Sequence, residues 1–179
     1  MSKMKRGMIG HFWKDTDGVA ALEGALVFPI FLVMLFGIFD VGRAITSNHK
    51  MITATQVIAD LIAREPSVST ADIEQAISAG GLAMQPYATT TDGFGIDVVS
   101  VRFDASLEPV VLWRETRNMP ADADAVEKSK GLGVENEGAL IVTMVYDYTP
   151  VFGNMLIPNY KMKETAYARG RRSATVSKE

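Results

Sequence analysis

The sequence predicts an α+β fold in which a transmembrane helix extends into a long stalk helix, followed by a second short helix and an antiparallel sheet of about four strands. Three observations predict this fold. The segment from Val19 to Phe39 is apolar apart from one carboxylate. Helical periodicity then continues to Arg64. From Gly95 onward the pattern changes to alternating segments with hairpin-length connections late in the chain, which is typical of an antiparallel sheet.

The apolar segment is long enough to cross a bilayer. At about 1.5 Å rise per residue, a helix over Val19 to Phe39 spans roughly 30 Å, the thickness of the hydrocarbon core. A cleaved secretory signal has a shorter apolar region, and the nearby small-x-small site, residues 42–44, contains a charged arginine. A buried helix of a soluble protein is disfavoured, because this segment is apolar on all faces. We therefore expect a retained transmembrane helix over residues 19–42.

Charged residues predict how the chain is oriented and divided. Basic residues before the span favour a cytoplasmic N-terminus: Lys3, Lys5, Arg6 and Lys14. The expected organisation is a cytoplasmic basic leader at residues 1–18, the transmembrane helix at 19–42, a stalk helix at 43–65 and a periplasmic α+β domain at 66–179.

The composition excludes several classes of function. The chain has no cysteine, which rules out disulfides, thiolate zinc sites and a cysteine nucleophile. The part after Arg43 is mildly acidic and gives no electrostatic case for nucleic acid. His11 and His49 are the two histidines, and no nucleophile elbow, phosphate loop or dinucleotide motif is present. We expect no enzymatic activity, no metal or other cofactor and no small-molecule substrate.

The two predicted helices of the exported part have apolar stripes. The stripe on the stalk consists of Ile45, Ile52, Thr55, Ile58 and Ile62. We expect it to pack on the domain, with a partner helix as the alternative, and we expect Glu65-Pro66 to end the helix. The second helix is capped by Ser69 or Thr70, has Asp72 or Glu74 in its first turn, and ends at Gly80-Gly81, with Ile73, Ala76 and Ile77 facing inward.

Four strands are predicted after Pro86. The first, residues 95–104, places Val99, Val101 and Phe103 opposite Asp97, Ser100 and Arg102. The others are residues 109–114, 139–148 and 160–169. Residues 118–138 are expected to form a mobile surface loop, in which Asp122 and Asp124 form a solvated acidic pair rather than a calcium site. The terminal arginines are expected to lie on a frayed end, with anion binding as the alternative: Arg169, Arg171 and Arg172.

The residues around the start of the span carry a family resemblance. Gly18 is followed by Val19 and, at the fifth position after the glycine, by Glu23. This arrangement resembles the processing site of type IV pilin-like proteins. With the span residues Gly24, Pro29, Phe31, Gly37 and Phe39 and the span-end motif Asp40, Gly42 and Arg43, it looks like the TadE-like pseudopilins, which are minor pilins of tight-adherence (Tad) pili. Gly24 departs from the aromatic residue that family members place after the glutamate.

The resemblance implies a function. It implies cleavage by a prepilin peptidase after Gly18, on the cytoplasmic side, and a pilin-like lollipop shape. Glu23 is then expected to accept the freed ammonium of Val19 from a neighbouring subunit. Removing one partner of such a buried pair costs about 3–5 kcal/mol. The alternative for Glu23 is a carboxylate that merely lies among the lipid headgroups.

The resemblance also implies partners and location. The implied partners are inner-membrane lipid, a prepilin peptidase, other minor pilins, the major pilin and assembly platform proteins. The implied location is the bacterial inner membrane, crossed once, with incorporation into a pilus. Two alternatives stay open: an uncleaved membrane-anchored accessory protein of the assembly machinery, and a secreted periplasmic protein released by signal peptidase.

Overall fold

A computed structural model of the protein describes residues 17–87, 93–152 and 158–179, so most of the predicted leader lies outside the described residues. The predicted α+β fold is confirmed. The chain begins with a helix of 46 residues, α1, at Asp17–Ile62. A short strand, a second helix and an antiparallel sheet of four strands follow.

Helix α1 is continuous through Pro29 and ends at Ile62, shortly before the predicted end. Its second half packs on the domain through residues spaced three or four apart: Asp40, Ala44, Ser47, Met51, Ala54, Ile58 and Ile62. Including Ile45 in the buried stripe was wrong, because its side chain is 55 % exposed. One residue after Ala44, it is turned about 100° away from the domain.

Helix α2 spans Thr70–Met84 and begins at a capping box. The Ser69 hydroxyl accepts the backbone N–H of Asp72, whose carboxylate accepts the backbone N–H of Ser69. The predicted inward residues are confirmed as buried: Ile73, Ala76 and Ile77. The predicted end at Gly80-Gly81 was wrong. Gly80 is buried mid-helix, where a Cβ would come within 2.4 Å of Ile58 Cδ1, so glycine permits close contact between α2 and α1.

The sheet consists of four antiparallel strands in the order β3-β2-β4-β5. They are β2 at Gly95–Phe103, β3 at Pro109–Arg117, β4 at Gly138–Tyr148 and β5 at Tyr160–Ala168. In the middle of the sheet Val98 is opposite Val142, and Val142 is opposite Ala166. A small parallel pair, β1 at Ser67–Val68 and β6 at Ser177–Lys178, attaches the C-terminus beside the helices.

Both faces of the sheet are covered. Helices α1 and α2 pack on the inner face, where Leu140, Val142 and Met144 are buried. The outer face is covered around Phe103 by the segment between β3 and β4, which contains a short helix, α3, at Ala123–Glu127. Most of residues 118–138 lie at the surface as predicted, but the prediction of a loop missed α3 and its buried contact with the sheet. The central strand β2 has apolar side chains on both faces, so its outer side also needs a cover.

A group of charged residues lies on the outer face beside this cover. Asp97 was predicted opposite Val99 but lies on the same face and is buried. Its carboxylate accepts the backbone N–H of Asp122 at 2.7 Å and lies 3.2 Å from Arg114 Nε. Asp122, predicted to be solvated, is buried and accepts Lys163 Nζ at 2.8 Å. The group connects the α3 segment to three strands.

The C-terminal segment is not frayed, contrary to the prediction. Its three arginines form ion pairs with Glu137, Asp60 and Glu65. Val176 is buried in the inner core, and its carbonyl accepts the indole N–H of Trp113 at 2.7 Å. The segment therefore closes the edge of the domain near the end of α1.

Candidate functional site

The N-terminal part of α1 is uncovered. Residues 18–31 are all exposed, which includes the predicted processing residues Gly18 and Val19 and the span residues Gly24, Pro29 and Phe31. Of the residues that the structure describes, α1 is the one helix long and apolar enough to cross a membrane. Because this part of the helix is apolar on all faces, it is suited to contact with lipid or with other helices.

Glu23 is isolated on this uncovered helix. No hydrogen bond or ion pair from the described part of the chain reaches its carboxylate. The next basic residue along α1 is Arg43, which lies about 30 Å away at the helical rise. A lone carboxylate in an apolar segment is costly without a partner. A partner for Glu23 therefore has to come from outside residues 17–87, 93–152 and 158–179.

The other end of the predicted span is built differently, because Asp40 forms hydrogen bonds with the sheet domain. Its side chain is 1 % exposed, and its carboxylate accepts the backbone N–H groups of Val151 at 2.9 Å and Phe152 at 3.2 Å. The Tyr148 hydroxyl donates to the Asp40 carbonyl at 3.1 Å. Asp40 thus connects α1 to the end of β4 and to the connection that follows it.

Aromatic contacts reinforce this connection on the N-terminal side of Asp40. The ring of Phe152 stacks on Phe36, with centroids 4.2 Å apart and an interplanar angle of 14°. Phe39 meets the same ring edge-on at 5.4 Å. Phe36 precedes Asp40 by about 6 Å along the helix. The domain therefore contacts α1 within the last two turns of the predicted span.

Arg43 supplies positive charge one turn after Asp40. Its guanidinium lies over the rings of Tyr87, at 5.2 Å, and Phe39, at 5.9 Å. Burial raises the pKa of the Tyr148 hydroxyl, while a hydrogen bond with Arg43 opposes that rise. The neutral hydroxyl is therefore the form that donates to the Asp40 carbonyl at physiological pH.

The predicted site residues form two separate groups. Asp40 and Arg43 lie together at the junction with the sheet domain, whereas Gly18, Val19 and Glu23 lie at the far end of α1. Gly37 is half-buried, Phe39 is partly exposed, and Gly42 is exposed on the side of α1 away from the domain.

Sequence reasoning missed Phe36, Val151 and Phe152 at the junction. The available signals were the spacing of Phe36 and Asp40, one helical turn apart on one face, and the apolar pair that follows Pro150. Neither signal predicts which residues are in contact, because the two segments are more than a hundred residues apart and only the folded sheet brings them together.

Comparison with known proteins identifies the N-terminal region. Residues 18–60 match the family model described as TadE-like protein, and this match covers about a quarter of the chain. No curated protein and no solved structure matches the chain. The matched region starts at Gly18 and covers nearly all of α1, and together with the apolar helix it fits a membrane-anchored component of a Tad pilus. The predicted resemblance is thus confirmed: the chain carries a TadE-like domain at residues 18–60.

Proposed function

We propose that the protein is a single-pass pseudopilin, a minor pilin that takes part in assembly of a Tad-type pilus and is processed by a prepilin peptidase after Gly18. The observation that carries the proposal is the TadE-like match, which begins at Gly18 on an uncovered apolar helix. In this proposal the leader is cytoplasmic, residues 19–42 span the inner membrane, and the sheet domain is periplasmic. The protein acts as a structural component and not as an enzyme.

The proposed cleavage site is sterically open. A Cβ added at Gly18 meets no atom within 4 Å, and the same holds for Gly24 six residues later. A substitution at either glycine therefore leaves the fold of the described chain intact. A peptidase that binds the backbone at the cut site requires residue 18 to lack a side chain. It places no such requirement on residue 24.

The first experiment maps the N-terminus of the membrane-bound protein by mass spectrometry, in cells with and without the peptidase. We expect a mature chain that begins at Val19, and accumulation of the full-length chain when the peptidase is absent. Gly18→Leu should also accumulate the full-length chain, whereas Gly24→Ala should be processed like the wild type. An intact Met1 in all strains would overturn the proposal in favour of an uncleaved accessory anchor.

Glu23 gives the proposed subunit a means of selecting its position in the fibre. Cleavage after Gly18 creates an ammonium on Val19, and the Glu23 carboxylate is unpaired within the described chain. Pairing the two groups between neighbouring subunits neutralises both where the dielectric constant is low. Because Glu23 is one turn from Val19, the pair would set a specific axial offset between neighbouring helices.

The second experiment measures incorporation into sheared pili against the amount of protein in the membrane. We expect Glu23→Gln to insert normally and to lower incorporation at least tenfold, since the amide carries no charge. Glu135→Gln, at an exposed position of the domain, is the matched control and should incorporate normally. Wild-type incorporation of Glu23→Gln would refute the pairing, and a soluble periplasmic form that starts near Ile45 would refute membrane anchoring.

A further inference from the structure

We propose that Val151 and Phe152, which follow β4, enter the outer leaflet of the membrane that α1 crosses. The sheet domain would then contact lipid directly and have a fixed depth and tilt relative to the bilayer. The lipid-facing surface consists of Val151 and Phe152 together with Phe36 and Phe39 of α1, and we call it the membrane foot. The inference rests on the proposed membrane anchoring and extends it from the helix to the domain.

The depth of the membrane foot follows from its contact with α1. Phe152 stacks on Phe36 at 4.2 Å, so the two rings lie at the same level along the helix. Phe36 is three residues inside the end of the apolar segment at Phe39. All of that segment is needed to cross roughly 30 Å of hydrocarbon. Phe152 therefore lies at the level of the hydrocarbon boundary or slightly below it.

The span cannot shift to leave the membrane foot in water. Moving the helix toward the periplasm would expose Phe36 to water but would leave too few apolar residues to cross the bilayer. The residues that would have to replace them at the other end are polar: Lys14, Asp15 and Asp17. Charged side chains at that depth are disfavoured. The span therefore keeps Phe36, and with it Phe152, on the lipid side of the boundary.

The side chains of the membrane foot suit a lipid environment. Val151 is 53 % exposed and Phe152 is 44 % exposed, directly beside the exposed apolar face of α1. Phe39 continues the same surface and is also partly exposed. An apolar surface continuous with a transmembrane helix is covered by lipid when the helix is inserted.

The backbone N–H groups of the membrane foot also have hydrogen-bond acceptors within the protein, as a medium without water requires. Irregular backbone at membrane depth requires partners for its N–H and C=O groups inside the protein. The Asp40 carboxylate accepts the N–H groups of both Val151 and Phe152. This explains why a carboxylate is buried at the end of the span. The Arg43 guanidinium, over the Phe39 ring, places a compensating positive charge nearby.

The test measures membrane depth at single residues of the full-length chain, which has no native cysteine. Val151→Cys is labelled with an environment-sensitive fluorophore and reconstituted in phosphatidylcholine nanodiscs. Quenching is measured with nitroxide attached to lipid acyl chains and with aqueous iodide. Phe31→Cys, an exposed position within the span, is the lipid control. Leu132→Cys is the aqueous control, because it lies near Arg169, about 25 Å farther along β5 from the membrane foot.

We expect the lipid nitroxide to quench Val151→Cys at least twofold more than Leu132→Cys, and iodide to quench it at least twofold less. If Val151→Cys behaves like Leu132→Cys while Phe31→Cys is quenched by lipid, the membrane foot is refuted and the anchor stands. If Phe31→Cys also escapes the lipid nitroxide, the proposed anchoring itself fails. Protection of Val151→Cys from both quenchers would show that protein covers the membrane foot, and this would overturn the assignment to lipid.

Discussion

At the scale of single residues, Asp40 connects α1 to the sheet domain. Its carboxylate accepts the amide N–H groups of both Val151 and Phe152 and is removed from solvent. An acceptor in this position replaces the water that the two amides would otherwise bind. The residue therefore belongs to the architecture of the junction, in addition to its place in the span-end motif.

Asp40→Ala should lower the free energy of unfolding by about 2 kcal/mol or more, because it leaves two poorly hydrated N–H groups without an acceptor. Asp40→Asn keeps one acceptor oxygen, so its free energy of unfolding should fall by less. Denaturant unfolding of the full-length chain in detergent micelles measures both. The matched control is Asp147→Ala, an exposed aspartate near the same end of β4, which should change stability little. Equal losses for Asp40→Ala and Asp147→Ala would contradict this role.

Two buried aspartates on the outer face have pKa values shifted in opposite directions. Burial raises the pKa of the Asp97 carboxyl above its usual range, and the hydrogen bond from Asp122 and the Arg114 guanidinium offset this only in part. Burial also acts to raise the pKa of Asp122, but the Lys163 ammonium, together with hydrogen bonds from Thr143 and Ala125, outweighs it, so the pKa lies below its usual range. Ionised Asp122 therefore stabilises the folded state, whereas ionised Asp97 destabilises it.

The contribution of Asp122 should depend on pH. Because its pKa is lowered in the folded state, its stabilisation is present above the unfolded value of about 3.9 and is lost as pH falls through the folded value. At pH 7, Asp122→Asn should lower the free energy of unfolding by about 1 kcal/mol, a modest figure because Lys163 is partly solvated.

Melting curves of both proteins between pH 7 and pH 2 provide the measurement. The difference between wild type and Asp122→Asn should shrink below about pH 3.9. Asp124→Asn, an exposed substitution two residues later, is the control and should differ little from wild type throughout. A difference for Asp122→Asn that stays constant down to pH 2 would show that ionisation is not its source.

At the scale of secondary-structure elements, the contact between α1 and α2 depends on a glycine. A Cβ at Gly80 would come within 2.4–2.5 Å of two Ile58 side-chain atoms and 3.3 Å of the Ala54 carbonyl oxygen. Ile58 is fully buried and branched at Cβ, so it cannot easily move aside. The two helices therefore pack closely only while residue 80 lacks a side chain.

Gly80→Ala should lower the free energy of unfolding by about 1 kcal/mol, because overpacking outweighs the higher helix propensity of alanine. Ile58→Ala alone should cost about 2–5 kcal/mol. The double variant should lose less unfolding free energy than the sum of the two single losses, since the new methyl group occupies the space that Ile58 leaves. Denaturant unfolding of all four proteins completes the cycle, and strict additivity would contradict direct contact between the two positions.

At the scale of the whole molecule, the C-terminal segment closes the domain. The carbonyl of Val176 accepts both the Trp113 indole N–H and the Ser100 hydroxyl, and β6 pairs with β1 just after α1 ends. Arg171 adds an ion pair to Asp60 of α1 at 3.0 Å. The last residues of the chain therefore bridge the helical layer and the edge strand β3.

Deleting residues 173–179 should lower the melting temperature and shift Trp113 fluorescence to longer wavelength. Loss of the buried Val176 side chain alone costs about 1.5–3 kcal/mol, and the indole N–H gains contact with water. The measurement uses a Trp13→Phe background, so that Trp113 is the one remaining tryptophan. Deletion of Glu179 alone is the control. An unchanged emission maximum in the longer deletion would contradict the closing role of this segment.

Local chemistry explains which features of the fold could be predicted. The long apolar helix, the cap at Ser69 and the strand over residues 139–148 are each determined by neighbouring residues, and the structure confirms these elements. The errors occurred where distant segments meet. Gly80 was taken as a stop signal because its contact with Ile58 is tertiary, and residues 118–138 were predicted to be a surface loop because their cover of β2 is not local.

The candidate site divides in the same way. Gly18, Val19 and Glu23 could be singled out from sequence because their spacing along one helix is the signal, and their cleavage and pairing stay predictions. Asp40 and Arg43 could also be singled out as a motif, but the contacts of Asp40 with Val151 and Phe152 could not. Hydrogen bonding across more than a hundred residues leaves no local periodicity to detect.

The sequence by itself determined that one long apolar helix precedes an α+β domain, because hydropathy and periodicity act over neighbouring residues. Tertiary structure alone decided where the domain contacts that helix. The stacking of Phe152 on Phe36 places a contact of the sheet domain about two helical turns before residue 43, where the stalk helix was predicted to begin. The physical reason is that packing and hydrogen bonding between distant segments depend on how the sheet folds against the helix.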